Sequence, residues 1–240
     1  MPLLETQKLE VFYGDFQALF GLDFTIEEGE TVAMIGANGA GKSTVLRSLA
    51  GLNTQKKGVI NFAGQNITNL RADLVSKVGI ALVPEGRMMF PSLSVEENLL
   101  MGLCTDRKGP WTLPKVYELF PALKEIRTRS SVRISGGQQQ MVAIGRALLT
   151  NPRVLLCDEI SLGLAPKITN DIYACFADIK ASGMAIMLVE QDIVRARAAS
   201  DRFYCLLEGQ VSLHGKPDAF SIEEISRSYF GTGGHQHGVA

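Results

Sequence analysis

The chain has 240 residues, 46% of them hydrophobic, enough to bury the full core of one large domain or of a domain with a subdomain, so it needs neither disulfides nor a structural metal. Lys and Arg number 24 against 25 Asp and Glu, a net charge of −1, which argues against a nucleic-acid backbone or an anionic membrane surface as partner. No apolar run reaches the roughly 18 to 20 residues that span a bilayer, and the N-terminal MPLLETQKLEVFYG lacks the basic and long apolar regions of a targeting signal, so the chain is not expected to be embedded in a membrane.

In chain order, the first 30 residues read as antiparallel strands, with a strand over 4–11 and a turn at Glu28-Gly29. A strand is predicted at 31–35, a helix at 42–52 and a strand at 79–83. Three helical patterns without a convincing strand follow, at 94–103, 114–126 and 138–149. Then come a strand at 154–158, a helix at 166–181, a strand at 185–189, a helix at 192–199 and a strand at 202–207, with the segment 203–215 turning at Glu208-Gly209. VAMI, VLLC and AIMLV are unbroken apolar runs, as expected of parallel strands covered on both faces. The alternation predicts an α/β core made of residues 1–84 and 151–240, flanked by antiparallel strands and interrupted by a helical subdomain over 85–150. The tail, GTGGHQHGVA over 231–240, reads as disordered. Cys104, Cys157, Cys175 and Cys205 form no CxxC pair and read as small core residues in a reducing compartment, the cytosol.

The stretch GANGAGKST runs from Gly36 through Ala37, Asn38, Gly39, Ala40 and Gly41 to Lys42, Ser43 and Thr44, and fits G-x-x-x-x-G-K-[ST] between a strand and a helix. Small residues let successive backbone N–H groups turn inward around a phosphate, and the helix N-terminus adds donors and its dipole. Lys42 is suited to neutralise the β- and γ-phosphates and Ser43 to ligate Mg²⁺. These features predict a P-loop NTPase core, RecA-like in type, that takes the phosphates of a nucleotide together with Mg²⁺. The apolar strand RVLLCDE ends in Asp158, suited to hold Mg²⁺, and Glu159, suited to polarise an attacking water.

Between these motifs stands RISGGQQQM, with Ser135, Gly136, Gly137 and Gln138 opening a helical pattern. Together with the phosphate loop and the acidic strand, in this order, it resembles the signature motif of ATP-binding-cassette (ABC) ATPases. The resemblance implies that two such chains dimerise head to tail around two ATP molecules, and that this signature closes over the nucleotide of the partner. It also implies that Tyr13 stacks on adenine, the reading favoured here; the alternative is one more aromatic beside Phe12 and Phe16 on a strand edge. Glu85 stands where the family usually has a Gln that contacts Mg²⁺ and water. Gln191 stands where it has a His that touches the γ-phosphate. A Gln donates a hydrogen bond to a phosphate oxygen without titrating near neutral pH, so the expectation is a phosphate sensor without proton linkage. SLGLAP occupies the loop that the family uses across its dimer interface, with Leu164 for the usual Asp and Ile160 for the usual Pro.

VPEGRMMFPSLSVEENLLMG, YELFPAL, SLGLAP and LVEQD further resemble the ATPase subunits of branched-chain amino-acid importers of the LivF type. Relatives that import urea or short amides are not separated by these phrases. The resemblance implies a second ATPase subunit as partner, in a heterodimer or, in isolation, a homodimer. It further implies two transmembrane permeases, a substrate-binding protein acting through them, and a peripheral position on the cytoplasmic face of the inner or plasma membrane. Met88, Met89, Phe90 and Leu93 form an apolar cluster suited to a permease helix or, alternatively, to packing within the helical subdomain. A soluble cassette ATPase of DNA repair or translation usually carries paired cassettes, long coiled coils or a basic surface, none of which this chain has; an exporter ATPase would share the fold. His235 and His237 could bind a metal from the tail, but a disordered tail is the simpler reading, and Lys56-Lys57 reads as a solvated turn.

Overall fold

The computed structural model describes residues 1–231. The tail expectation and the pair His235 and His237 therefore lie outside the described residues, apart from Gly231. Two sheets form the framework. The larger has six strands in the order β10-β9-β3-β8-β7-β6, comprising β3 (Thr31–Ile35), β6 (Ile80–Val83), β7 (Val154–Asp158), β8 (Ala185–Glu190), β9 (Arg202–Leu207) and β10 (Gln210–Gly215). All neighbours in it pair parallel except β10, which closes a hairpin on β9 at the Glu208-Gly209 turn. β9 is thus a member of the parallel sheet, not only a flanking antiparallel strand. The smaller sheet is antiparallel, ordered β2-β1-β4-β5, from β1 (Leu4–Tyr13), β2 (Phe16–Ile26), β4 (Lys56–Phe62) and β5 (Gln65–Asn66).

The period of two along a strand decides what each residue meets. In β7 and β8, Val154, Leu156, Ala185, Met187 and Val189 face the antiparallel sheet and α1 (Lys42–Leu49), sharing a core with Leu9, Leu22, Leu46 and Phe62. Leu155, Cys157, Ile186 and Leu188 face the opposite way, into a second core with the helices that follow. Both strands are buried throughout, which is why their sequences are unbroken apolar runs. Cys157 is a core residue, and burial holds its thiol protonated.

Between β6 and β7 the chain forms α3 (Val95–Leu100), α4 (Leu113–Leu119), α5 (Pro121–Glu125) and α6 (Gly136–Leu148) and no named strand. The helix predicted at 114–126 is two helices: Phe120, at φ −126° and ψ 74°, is pushed out of the helical region by the ring of Pro121. The predicted helix at 94–103 tightens into a 3₁₀ turn from Met101. α3 and α6 both begin with a reciprocal cap, Ser94 with Glu97 and Ser135 with Gln138. Two helices, α2 (Ala72–Val78) and the C-terminal α9 (Ile222–Phe230), and two strands, β4 and β5, have no counterpart among the sequence-based expectations. Lys56-Lys57 opens β4 instead of forming a turn, with Lys57 paired opposite Glu10 of β1. α7 (Pro166–Ala181) packs on the second core, and α8 (Ile193–Ala199) joins α9 over β3 and β9.

Candidate active site

Strands β3, β6, β7 and β8 all point their C-terminal ends toward one side of the sheet, where an open α/β sheet leaves a crevice. A cavity of 770 Å³ lies there, lined among others by Tyr13, Lys42, Ser43, Glu85, Glu159 and Gln191. Its floor is the loop between β3 and α1. That path requires glycine at two points. A Cβ on Gly36 would meet the carbonyl oxygen of Leu206 at 2.4 Å, and Gly41 turns the chain at φ 101° directly into α1. Asn38, Gly39, Gly41, Lys42, Ser43 and Thr44 line the cavity, whereas Ala40 is buried beneath it.

Lys42 is almost fully buried, and its Nζ donates to the carbonyls of Gly36 at 2.7 Å and Ala37 at 3.1 Å, while Glu159 Oε1 lies 3.6 Å away. Ser43 Oγ donates to Asp158 Oδ1 at 3.0 Å, joining the first turn of α1 to the end of β7. Asp158 follows Val154 and Leu156 onto the α1 face of the sheet, as the strand period requires. Burial pushes its carboxyl above the ordinary value of 3.8; the Ser43 hydrogen bond pulls it down, and the charges of Glu159 and Glu85 push it up again. A divalent cation beside Asp158 would relieve that repulsion. Among the described residues no group of three or more His, Cys, Asp and Glu is placed to hold a metal unaided. One carboxylate and one hydroxyl match an ion whose other ligands are phosphate oxygens and water, as is usual for Mg²⁺.

Glu159 sits in the left-handed region at φ 45°, its N–H donating to Val189 O at 3.1 Å. Gln191 Nε2 donates to Glu159 Oε2 at 2.6 Å. At the mouth of the cavity the Tyr13 ring is 45% exposed, with its hydroxyl 3.4 Å from Thr44 Oγ1 and from Asn53 Oδ1.

Ser135, Gly136, Gly137 and Gln138 are not brought to this cavity. They cap α6 instead: Ser135 Oγ accepts from the Gln138 N–H at 3.3 Å, and Gln138 Oε1 accepts from the Ser135 N–H at 3.0 Å. Sequence reasoning missed the segment that ties this helix to Glu85. Gly86, Arg87 and Met88 all have positive φ, and Arg146 of α6 holds the turn by donating to the carbonyls of Arg87 at 3.0 Å and Met88 at 2.9 Å. Nothing in a one-dimensional pattern pairs residue 146 with residue 87. Of the apolar cluster, Met88 and Phe90 are exposed, whereas Met89 packs into the helical core and Leu93 is half-buried.

A glycine loop that carries the central strand of a parallel sheet into a helix, with an acidic pair on a neighbouring strand end, defines the class as a P-loop nucleoside triphosphatase. Comparison with known proteins narrows it further. The family model described as ABC transporter matches residues 19–161, and the chain belongs to this family as one of its ATPases. It is similar to the high-affinity branched-chain amino acid transport ATP-binding protein BraG of Pseudomonas aeruginosa, at 42% identity over 88% of this chain and 92% of the relative. It is also similar to the probable branched-chain amino acid transport ATP-binding protein LivF of Archaeoglobus fulgidus, at 35% identity over 89% and 92%. Among solved structures, a dimeric ATP-binding cassette in a post-hydrolysis state, bound to ADP and Pi, superposes with a TM-score of 0.80 at 26% identity, over 90% of this chain and all of that one.

Proposed function

We propose that this ABC ATPase powers the uptake of branched-chain amino acids through partner permeases, hydrolysing ATP at the cavity above β3, β7 and β8. The 42% identity to BraG, spread over nearly the whole of both chains, is the observation that carries the solute. The placement of Glu159 between Lys42 and Gln191 carries the chemistry.

In this reading the loop amides from Gly36 to Thr44 and the Lys42 ammonium take the phosphates, and the exposed face of Tyr13 takes the adenine. Ser43 and Asp158 would hold Mg²⁺, with Glu85 as a further carboxylate on the wall, and the ion would neutralise the charge on the transferred phosphoryl group. Glu159 orients a water and accepts its proton. Gln191 holds the Glu159 carboxylate through its amide and has a donor to offer a phosphate oxygen. Ser135, Gly136, Gly137 and Gln138, lying outside their own chain's cavity, act on the nucleotide of a second ATPase subunit. Residues 85–150 serve as a helical subdomain, and exposed Met88 and Phe90 meet a permease at the cytoplasmic face of the membrane. No helix among the described residues is long and apolar enough to cross a membrane, which suits a peripheral subunit.

The test is transport reconstituted in vesicles with the partner subunits. Saturable, ATP-dependent uptake of leucine is expected, and uptake of urea or a short amide in its place overturns the solute.

A further inference from the structure

β8 ends in a carboxylate where its own pattern calls for an apolar side chain. Ile186 and Leu188 face α7 and the second core, and the next residue on that face is Glu190, 3% exposed. Both of its oxygens are used. Ser161 Oγ donates to Oε2 at 3.0 Å, and the Tyr173 hydroxyl donates to Oε1. Ser161 lies in the loop two residues beyond Glu159, Tyr173 belongs to α7, and the Arg195 guanidinium of α8 stands 5.7 Å over the Tyr173 ring. Burial pushes the Glu190 carboxyl up, and its hydrogen bonds and Arg195 hold it back. A buried carboxylate is costly, and a well-packed apolar residue is often at least as stable, so stability alone is a poor reason for Glu190.

We propose that Glu190 is a positioning residue for hydrolysis, fastening the end of β8 to the 160–165 loop and α7 so that Glu159 and Gln191 keep their mutual geometry. The proposal rests on the reading of Glu159 as the residue that activates water. Glu159 hangs from the two neighbours of Glu190: its N–H bonds Val189 O and its carboxylate receives Gln191 Nε2. Its left-handed backbone gives it no regular element of its own to rest on. A shift of the β8 end therefore moves both supports of Glu159 together, and displacements of about 1 Å at such a group cost on the order of 100-fold in rate.

The experiment measures steady-state ATP hydrolysis and ATP binding by the full-length chain assembled with its partner subunits. Glu190→Ala should lower kcat by about tenfold or more while the Kd for ATP stays within about twofold, the mark of a loss felt after binding. Glu190→Gln should recover most of the rate, because its amide oxygen accepts from one hydroxyl and its NH₂ donates to the other. Tyr173→Phe, which removes one donor and little volume, should fall between the two. Glu190→Ala at the parental rate overturns the proposal, as does an equal loss of ATP binding, or a Gln variant as slow as the Ala variant. If Glu190→Ala does not fold, Tyr173→Phe decides, and a parental rate there overturns it. Glu159→Gln in the same assay separates the two readings: if it turns over at the parental rate the assignment of Glu159 falls, whereas an inactive Glu159→Gln beside an unaffected Glu190→Ala sinks only the proposal for Glu190.

Discussion

Asp158 carries its charge in a poor place, buried and near the carboxylates of Glu159 and Glu85, and its carboxyl is raised above 3.8 as a result. The folded protein therefore holds a proton that the unfolded chain releases. That contribution to stability is full below the unfolded pKa and is lost as pH rises through the raised folded value. Asp158→Asn, whose amide oxygen still accepts from Ser43, should remove this slope. In thermal denaturation without divalent metal, from about pH 4 to pH 7, the variant should gain on the parent as pH rises. Identical slopes would show that Asp158 is not under charge strain. At this scale the sequence was legible wherever residues adjacent in the chain are placed together, as Lys42 is with Ser43 and Asp158 with Glu159. The junction of Ser161, Tyr173 and Glu190 was not, because three segments supply it, although the strand period does place Glu190 on the face of Ile186 and Leu188. The Arg146 clamp on residues 87 and 88 had no signal at all.

The helix that begins with the Ser135 cap is threaded between neighbours by its glycines. A Cβ on Gly145 would come within 2.7 Å of Val116 Cγ1 in α4 and 2.8 Å of Leu99 Cδ2 in α3. Gly145→Ala should accordingly destabilise the protein by about 1–3 kcal/mol through overpacking, despite the better helix propensity of Ala. For a chain of this size each 1 kcal/mol lowers Tm by about 2–4 °C. Combined with Val116→Ala, the loss should be well below the sum of the two single changes, since the added methyl then enters the space the valine leaves. Strict additivity would refute the contact. Elements came through the sequence where one period ran long enough, as in α7, whose bounds match the expectation of 166–181. They failed where tertiary pairing overrides local pattern: β4 opens on two lysines because β1 offers it a partner, and α2 is a short helix of mixed polarity with a single buried residue, Val75.

For the whole molecule, the α/β class, the parallel sheet and the position of the phosphate loop were all readable, because buried parallel strands write continuous apolar runs. The separation of the signature helix from the cavity came only through the family resemblance, since a distance in space has no local pattern of its own. If each working site needs the phosphate loop of one chain and the capped glycine turn of another, two defective chains should complement. A Lys42→Ala chain keeps its signature, and a Ser135→Arg chain keeps its phosphate loop, so a mixed dimer holds one intact pair. Mixing the two purified variants should give ATP hydrolysis above that of either alone. If the mixture only averages the two rates, each site is complete within one chain.

The alternation along β8 also sets how this protein can change. Odd-numbered residues of that strand face α1 and the antiparallel sheet, even-numbered ones face α7. Losing or gaining one residue inside the strand would exchange Glu190 with a neighbour and turn every later side chain to the opposite core. Insertions and deletions are thus confined to pairs in this strand. At the turns of Gly14 and Gly64 in the antiparallel sheet, a side chain would meet nothing within 4 Å, so an added residue has open space there. Variation in chain length among functional descendants should collect at those two turns and spare the six residues from Ala185 to Glu190.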